Sequence, residues 1–137
     1  MNEGSINLMD NPKLLIIDDD EGIRTQLKWG LEGFDIITAN SRQKAIEQFD
    51  EHCPIVVTLD LGLPPDVDGT SEGFAILNAI LQREPDTKII VVSGSDADVN
   101  SEKAKRNGAF DFYAKPIELA SLQQLVNSAY KAQLKNN

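Results

Sequence analysis

Three aspartates in a row, Asp18, Asp19 and Asp20, follow the apolar run 14–17, and a fourth, Asp60, follows the run 55–59. Ser93 ends the run 88–93, and Lys115 with Pro116 follows the run 111–114. Acidic residues after a strand are common as helix caps and solvated turns, so any one of these carries little weight. Polar groups of matching type at four strand ends carry much more. Carboxylates brought within about 4 Å of one another repel strongly unless a cation lies among them. With no histidine or cysteine beside them the donors are all oxygen, which suits Mg²⁺, an ion that keeps several waters and completes its shell from phosphate oxygens. The chemistry indicated is phosphoryl transfer. Asp60 is the candidate nucleophile, forming an aspartyl phosphate. Asp18 and Asp19 are the candidate metal ligands, and the backbone carbonyl of Gly62, in the loop after Asp60, is placed to be a further one. Lys115 supplies a positive charge for Asp60 before modification and for a phosphoryl oxygen afterwards. Ser93 supplies a hydroxyl for another phosphoryl oxygen, and Asp20 is left to cap the first helix.

These residues converge only if the runs are strands of one sheet. Five runs read as strands: 14–17, 35–39, 55–59, 88–93 and 111–114. The first, third and fourth are almost continuously apolar, as expected of parallel strands covered on both faces. Helical periodicity separates them, through Ile23, Leu27 and Leu31; through Ala45, Ile46 and Phe49 after a Ser41 cap; and through Ile76, Leu77, Ile80 and Leu81. A polar helix over 98–107 ends at Gly108, and a last one carries Leu119, Leu122, Leu125, Val126, Ala129 and Tyr130 on one face. Five strand-helix units with short connections predict an α/β, doubly wound, five-stranded parallel sheet of flavodoxin-like order 2-1-3-4-5 with five helices. Ligands of such sheets lie beyond the carboxyl ends of the strands. The four polar sets stand at those ends.

The 137 residues are enough for one domain with its own core, expected over 13–134 after a flexible segment over 1–12. No apolar run is long enough to span a bilayer, and the first residues lack the basic start and apolar stretch of a signal peptide, so a cytoplasmic location is expected. A net charge of −9 repels nucleic acid, so any control of genes falls to another domain or partner. The single cysteine, Cys53, precludes an internal disulfide and reads as a small buried side chain at the mouth of a strand. His52 reads as an exposed loop residue.

The motifs as a set resemble the receiver domain of two-component response regulators, over residues 13–133. The run Leu14-Leu15-Ile16-Ile17-Asp18-Asp19-Asp20 with Arg24 is similar to the family's acidic pair and first helix, and Leu59-Asp60-Leu61-Gly62-Leu63-Pro64 to its phosphoacceptor strand and loop. Val92-Ser93-Gly94, Gly108-Ala109 and Tyr113-Ala114-Lys115-Pro116 match the remaining elements in order. The resemblance implies Mg²⁺ at Asp18 and Asp19, phosphorylation of Asp60 by a histidine kinase or phosphotransfer protein, and a switch formed by Ser93 with Phe112. A plain core aromatic is the rival reading of Phe112, and Tyr113 is expected at the surface. The resemblance also implies an output surface on the fourth helix, fifth strand and fifth helix. A homodimer on phosphorylation and an output domain, fused or separate, for transcriptional control go with it.

Between Pro64 and the helix at Glu72-Gly73-Phe74 the chain departs from the family by a longer, acidic loop, Pro65-Asp66-Val67-Asp68-Gly69-Thr70-Ser71. Its Pro, Asp and Gly content reads as a solvated turn, with altered partner access beside Asp60 as the sharper alternative. With the preceding Val57-Thr58-Leu59-Asp60 it resembles receivers of regulators associated with exosortase and the PEP-CTERM sorting system. Two rival functions are considered. An aspartate-nucleophile phosphatase of the haloacid dehalogenase type would use Asp18, but Gly22 stands where such enzymes carry Thr or Val. A phosphorylation-independent pseudo-receiver would lack Asp60, Lys115 or the acidic pair, and all are present.

Overall fold

The structure, a computed structural model, describes residues 11–135 apart from Ser95. Most of the segment 1–12 expected to be flexible therefore lies outside the described residues. Five strands, β1 (Lys13–Ile17), β2 (Asp35–Ala39), β3 (Val56–Asp60), β4 (Lys88–Ser93) and β5 (Asp111–Ala114), alternate with five helices. The helices are α1 (Glu21–Gly30), α2 (Arg42–His52), α3 (Ser71–Arg83), α4 (Ala97–Arg106) and α5 (Leu119–Lys135). The strands pair in parallel in the order β2-β1-β3-β4-β5, which is the doubly wound topology expected from the alternation. Among the described residues, no helix is long and apolar enough to cross a membrane.

Two cores lie on the two faces of the sheet, and the two-residue period of a strand assigns each side chain to one of them. Leu15, Ile17, Val57, Leu59, Ile89 and Val91 pack with Ala45 and Phe49 of α2, Ile76, Leu77 and Ile80 of α3, and Ala104 of α4. Their sequence neighbours Leu14, Ile16, Val56, Ile90 and Val92 pack on the other face with Leu27 of α1 and Leu122, Val126 and Ala129 of α5. Every residue of β3 is buried, as its central place between β1 and β4 requires.

Local chemistry sets the helix ends. Asp20 caps α1, its Oδ1 accepting from the Ile23 N–H at 3.0 Å, and Ser41 Oγ accepts from the Lys44 N–H at 3.3 Å at the start of α2. Gly108 follows α4 with φ +102°, a conformation that glycine adopts at little cost.

Three expectations are corrected. Cys53 is exposed, not buried: it ends α2 in the left-handed region at φ 49°, before the chain enters β3. His52 is the last, half-buried residue of α2 rather than an exposed loop residue, because the helix continues to the turn at Cys53. Tyr113 is half-buried against the Leu14 core, and its hydroxyl accepts from the Glu118 N–H at 2.8 Å. That bond satisfies the polar end of an otherwise apolar side chain.

Candidate functional site

The parallel register aligns the carboxyl ends of β1, β3 and β4. Ile17 pairs with Leu59 and Asp60 with Val92, so Asp18 and Asp60 leave neighbouring strands at the same level, with Ser93 one residue beyond. Asp60 is itself the last residue of β3, one residue later than the run of apolar side chains suggested. It is held by the ladder rather than by a mobile loop. Asp18 is 3% exposed, Asp60 7% and Ser93 3%, while Asp19 is exposed.

Carboxylate oxygens of Asp18, Asp19 and Asp60 lie within 4.8 Å of one another. Lys115, reaching in from the end of β5, places Nζ 3.3 Å from Asp18 Oδ2 and 3.6 Å from Asp60 Oδ2. One ammonium therefore serves two buried carboxylates. Backbone groups hold the acidic side chains in place: the Asp20 N–H donates to Asp18 Oδ1 at 2.9 Å, and the Gly62 N–H to Asp60 Oδ1 at 3.3 Å. Arg24, one turn into α1, donates to the Asp18 carbonyl at 2.9 Å and so ties the first helix to the acidic turn.

The cluster remains electrostatically uncomfortable. Burial, then the Asp18 charge, raise the Asp60 carboxyl from 3.8 to about 6, against the opposing pull of Lys115 and the Gly62 N–H. Burial raises Asp18 too, with the Asp20 N–H and Lys115 opposing it and Asp19 adding to it. Three oxygen donors with unsatisfied negative charge fit a hard divalent cation.

Asp19, Asp60, Gly62, Ser93, Gly94 and Lys115 line one shallow cleft of about 270 Å³, together with Val67 and Gly69. Phe112 lies apart from this lining, half-buried in β5 opposite Val91 and packed against the Leu15 core. Val67 and Gly69 were not foreseen as part of the site. Pro, Asp and Gly mark a turn in a sequence, but no pattern in them shows that the turn folds back over Gly62.

A family model described as the response regulator receiver domain matches residues 14–127. The chemotaxis protein CheY of Listeria monocytogenes is 30% identical over 122 residues, covering 87% of this chain and 98% of that protein. The regulatory protein AtoC of Escherichia coli is 29% identical over 88% of this chain but only 26% of its own length. The alkaline phosphatase synthesis transcriptional regulatory protein PhoP of Bacillus subtilis is 28% identical over 93% of this chain and 50% of its own. The chain thus spans a quarter to a half of the length of these two regulatory relatives. Among solved structures, a response regulator receiver domain protein of Clostridium thermocellum superposes with a TM-score of 0.83 at 28% identity, covering 92% of this chain and 99% of that one. NtrX of Brucella abortus matches with a TM-score of 0.81 at 28% identity, over 90% of this chain and 28% of its own. The alternation of strand and helix, the acidic cluster beyond the strand ends and these matches agree: the chain belongs to the response regulator receiver domain family, the signalling module of two-component systems.

Proposed function

We propose that Asp60 is the phosphoacceptor of this receiver, taking its phosphoryl group from a histidine kinase or phosphotransfer protein. The observation that carries the reading is the buried Asp60 carboxylate at the end of the central strand, grouped with Asp18 and Asp19 and paired with Lys115. An oxygen of Asp60 attacks phosphorus; the bond from phosphorus to the donor's histidine nitrogen breaks, and the electron pair leaves with that nitrogen. The rigid strand and the Gly62 N–H orient the attacking carboxylate, and Lys115 is within reach of both Asp60 and the incoming charge.

Asp18, Asp19 and Asp60, with the Gly62 carbonyl, are the residues that would hold Mg²⁺. When bound, the ion neutralises charge that would otherwise oppose the approach of a phosphoryl donor to three carboxylates. Ser93, buried in the lining of the cleft, is read as the donor to a phosphoryl oxygen, with Phe112 on the next strand as the aromatic partner of that switch.

The unit so acting is taken as 13–134, and it works by changing an output surface rather than by turning over a substrate. That surface is the α4-β5-α5 face, engaging a fused or separate output domain, or a second copy of the chain, for transcriptional control in the cytoplasm. The long loop after Asp60 supports a place among regulators of the exosortase and PEP-CTERM type. The acidic chain itself is not expected to touch nucleic acid or a membrane.

Intact-protein mass spectrometry after incubation with acetyl phosphate and Mg²⁺ tests the reading. One phosphoryl adduct, lost in Asp60→Asn and in chelator, is the expected result. An adduct that survives Asp60→Asn would favour the phosphatase chemistry of Asp18, and no adduct would favour a phosphorylation-independent module.

A further inference from the structure

The loop between β3 and α3 is built against the phosphoryl cleft and held there. A Cβ placed on Gly62 would lie 2.5 Å from the Val67 carbonyl oxygen and 3.7 Å from that of Gly69, so the loop backbone occupies the space where a side chain at position 62 would stand. Only glycine at 62 leaves room for this path. The loop is closed on itself by Asp66, whose Oδ2 accepts from the Ser71 hydroxyl at 2.7 Å and from the Ser71 N–H at 3.4 Å, while its carbonyl accepts from the Gly69 N–H at 3.1 Å. Between these anchors Val67 lines the cleft that also holds Asp60, Ser93 and Lys115. It is 51% exposed, an apolar residue in the lining of a polar site, between two aspartates in the chain. Neither core includes it, so packing of the fold does not account for it.

We propose that Val67, positioned by Asp66, is the outer wall of the phosphoryl site and lengthens the life of the phosphorylated state by limiting the approach of water. This rests on Asp60 being the phosphoacceptor. Hydrolysis requires a water oxygen to form a bond to phosphorus as the bond to the Asp60 oxygen breaks; the electron pair returns to the carboxylate, and the water proton leaves with inorganic phosphate or solvent. Water must reach phosphorus from the side away from Asp60, through the open mouth of the cleft. An apolar group there offers that water no hydrogen bond and excludes volume it would occupy. In this role Val67 acts by excluding water, and Asp66 acts by holding the loop that carries it.

The test uses the full chain, phosphorylated with acetyl phosphate and Mg²⁺ and then freed of donor, with the adduct followed over time by intact mass. Val67→Ala and Asp66→Ala are expected to lose the phosphoryl group several-fold faster than wild type. Asp66→Asn, which keeps an oxygen acceptor for Ser71, and Asp68→Asn, which removes a charge from the same exposed loop, are expected to decay at the wild-type rate. Thermal melting of each protein separates a local effect from loss of fold, since Val67 lies outside both cores and its truncation is expected to leave the melting temperature in place. A Val67→Ala lifetime equal to or longer than wild type overturns the wall while leaving Asp60 as phosphoacceptor. Failure of the wild type to take a phosphoryl group removes the reading of Asp60, and the wall falls with it.

Discussion

Replacing Asp60 by Asn tests the electrostatics of the site without any phosphoryl donor. In the metal-free fold the Asp60 carboxyl is raised from 3.8 to about 6 by burial and by Asp18. At about 1.4 kcal/mol per pKa unit, this places about 3 kcal/mol of unfavourable energy on the ionised form. Asn has nearly the same shape, and its carbonyl oxygen can still accept from the Gly62 N–H that now bonds Oδ1 at 3.3 Å. Its amide group needs partners of its own, so a gain of about 1 to 3 kcal/mol is expected rather than the full figure. For a domain of this size about 4 °C accompanies each kcal/mol, which makes the expected rise in melting temperature roughly 4 to 12 °C. The effect must also depend on pH with a definite sign. Because the folded-state value lies above the unfolded one, protonation of Asp60 contributes stability that is complete below 3.8 and lost as pH rises through about 6. The Asn variant lacks this loss, so its advantage is largest at about pH 8 and nearly gone at about pH 4. Urea or thermal unfolding in chelator across that range measures it. A variant no more stable than wild type near neutral pH, or a difference that does not shrink on acidification, would refute the claim that the cluster is held against its own repulsion.

Mg²⁺ should raise the melting temperature of the wild type by preferential binding to the folded state, reaching about 2.7 kcal/mol at a hundred times the dissociation constant. Asp60→Asn should respond far less, and titration followed by melting distinguishes the two. Lys115→Met should destabilise the metal-free protein by about 1 to 3 kcal/mol near neutral pH, since Asp18 and Asp60 lose the ammonium they share. In an Asp60→Asn background the cost should shrink, and a double-mutant cycle in urea measures the coupling; additivity would contradict the pairing. Thr87, just before β4, is 3% exposed, and among the described residues its buried Oγ1 has no hydrogen-bond partner. Thr87→Val should therefore stabilise by about 1 kcal/mol with phosphorylation unchanged, and a loss of stability would show that the hydroxyl is satisfied.

The architecture was legible because burial on both faces of a parallel sheet leaves a direct trace, the apolar runs of β1, β3 and β4, and because amphipathic helices repeat at a different period. The candidate residues were legible for a related reason. Strand direction alone places Asp18, Asp60, Ser93 and Lys115 at one edge. Details that depend on the path of a loop or on a single turn were not. Cys53 reads as a buried residue by type, yet its exposure follows from a left-handed turn after α2 that no residue type announces. The apolar run before Asp60 ends at Leu59, whereas the hydrogen-bonded ladder continues for one more residue, since pairing with Val92 does not require an apolar side chain. The sharing of Lys115 between Asp18 and Asp60 depends on where a long flexible side chain comes to rest. The return of the 65–71 loop over Gly62 is a long-range packing event: it requires both a glycine at 62 and the bonds of Asp66 to Ser71, and neither residue alone signals the other.

The central claim is that Asp60, and neither Asp18 nor Asp19, receives the phosphoryl group. Borohydride reduction of the phosphorylated chain converts an aspartyl phosphate to homoserine, and tandem mass spectrometry of the resulting peptides locates it. Homoserine at position 60 alone, absent when Mg²⁺ is chelated, is the predicted result; homoserine at position 18 or 19, or none in a chain that carries a stable adduct, would contradict it.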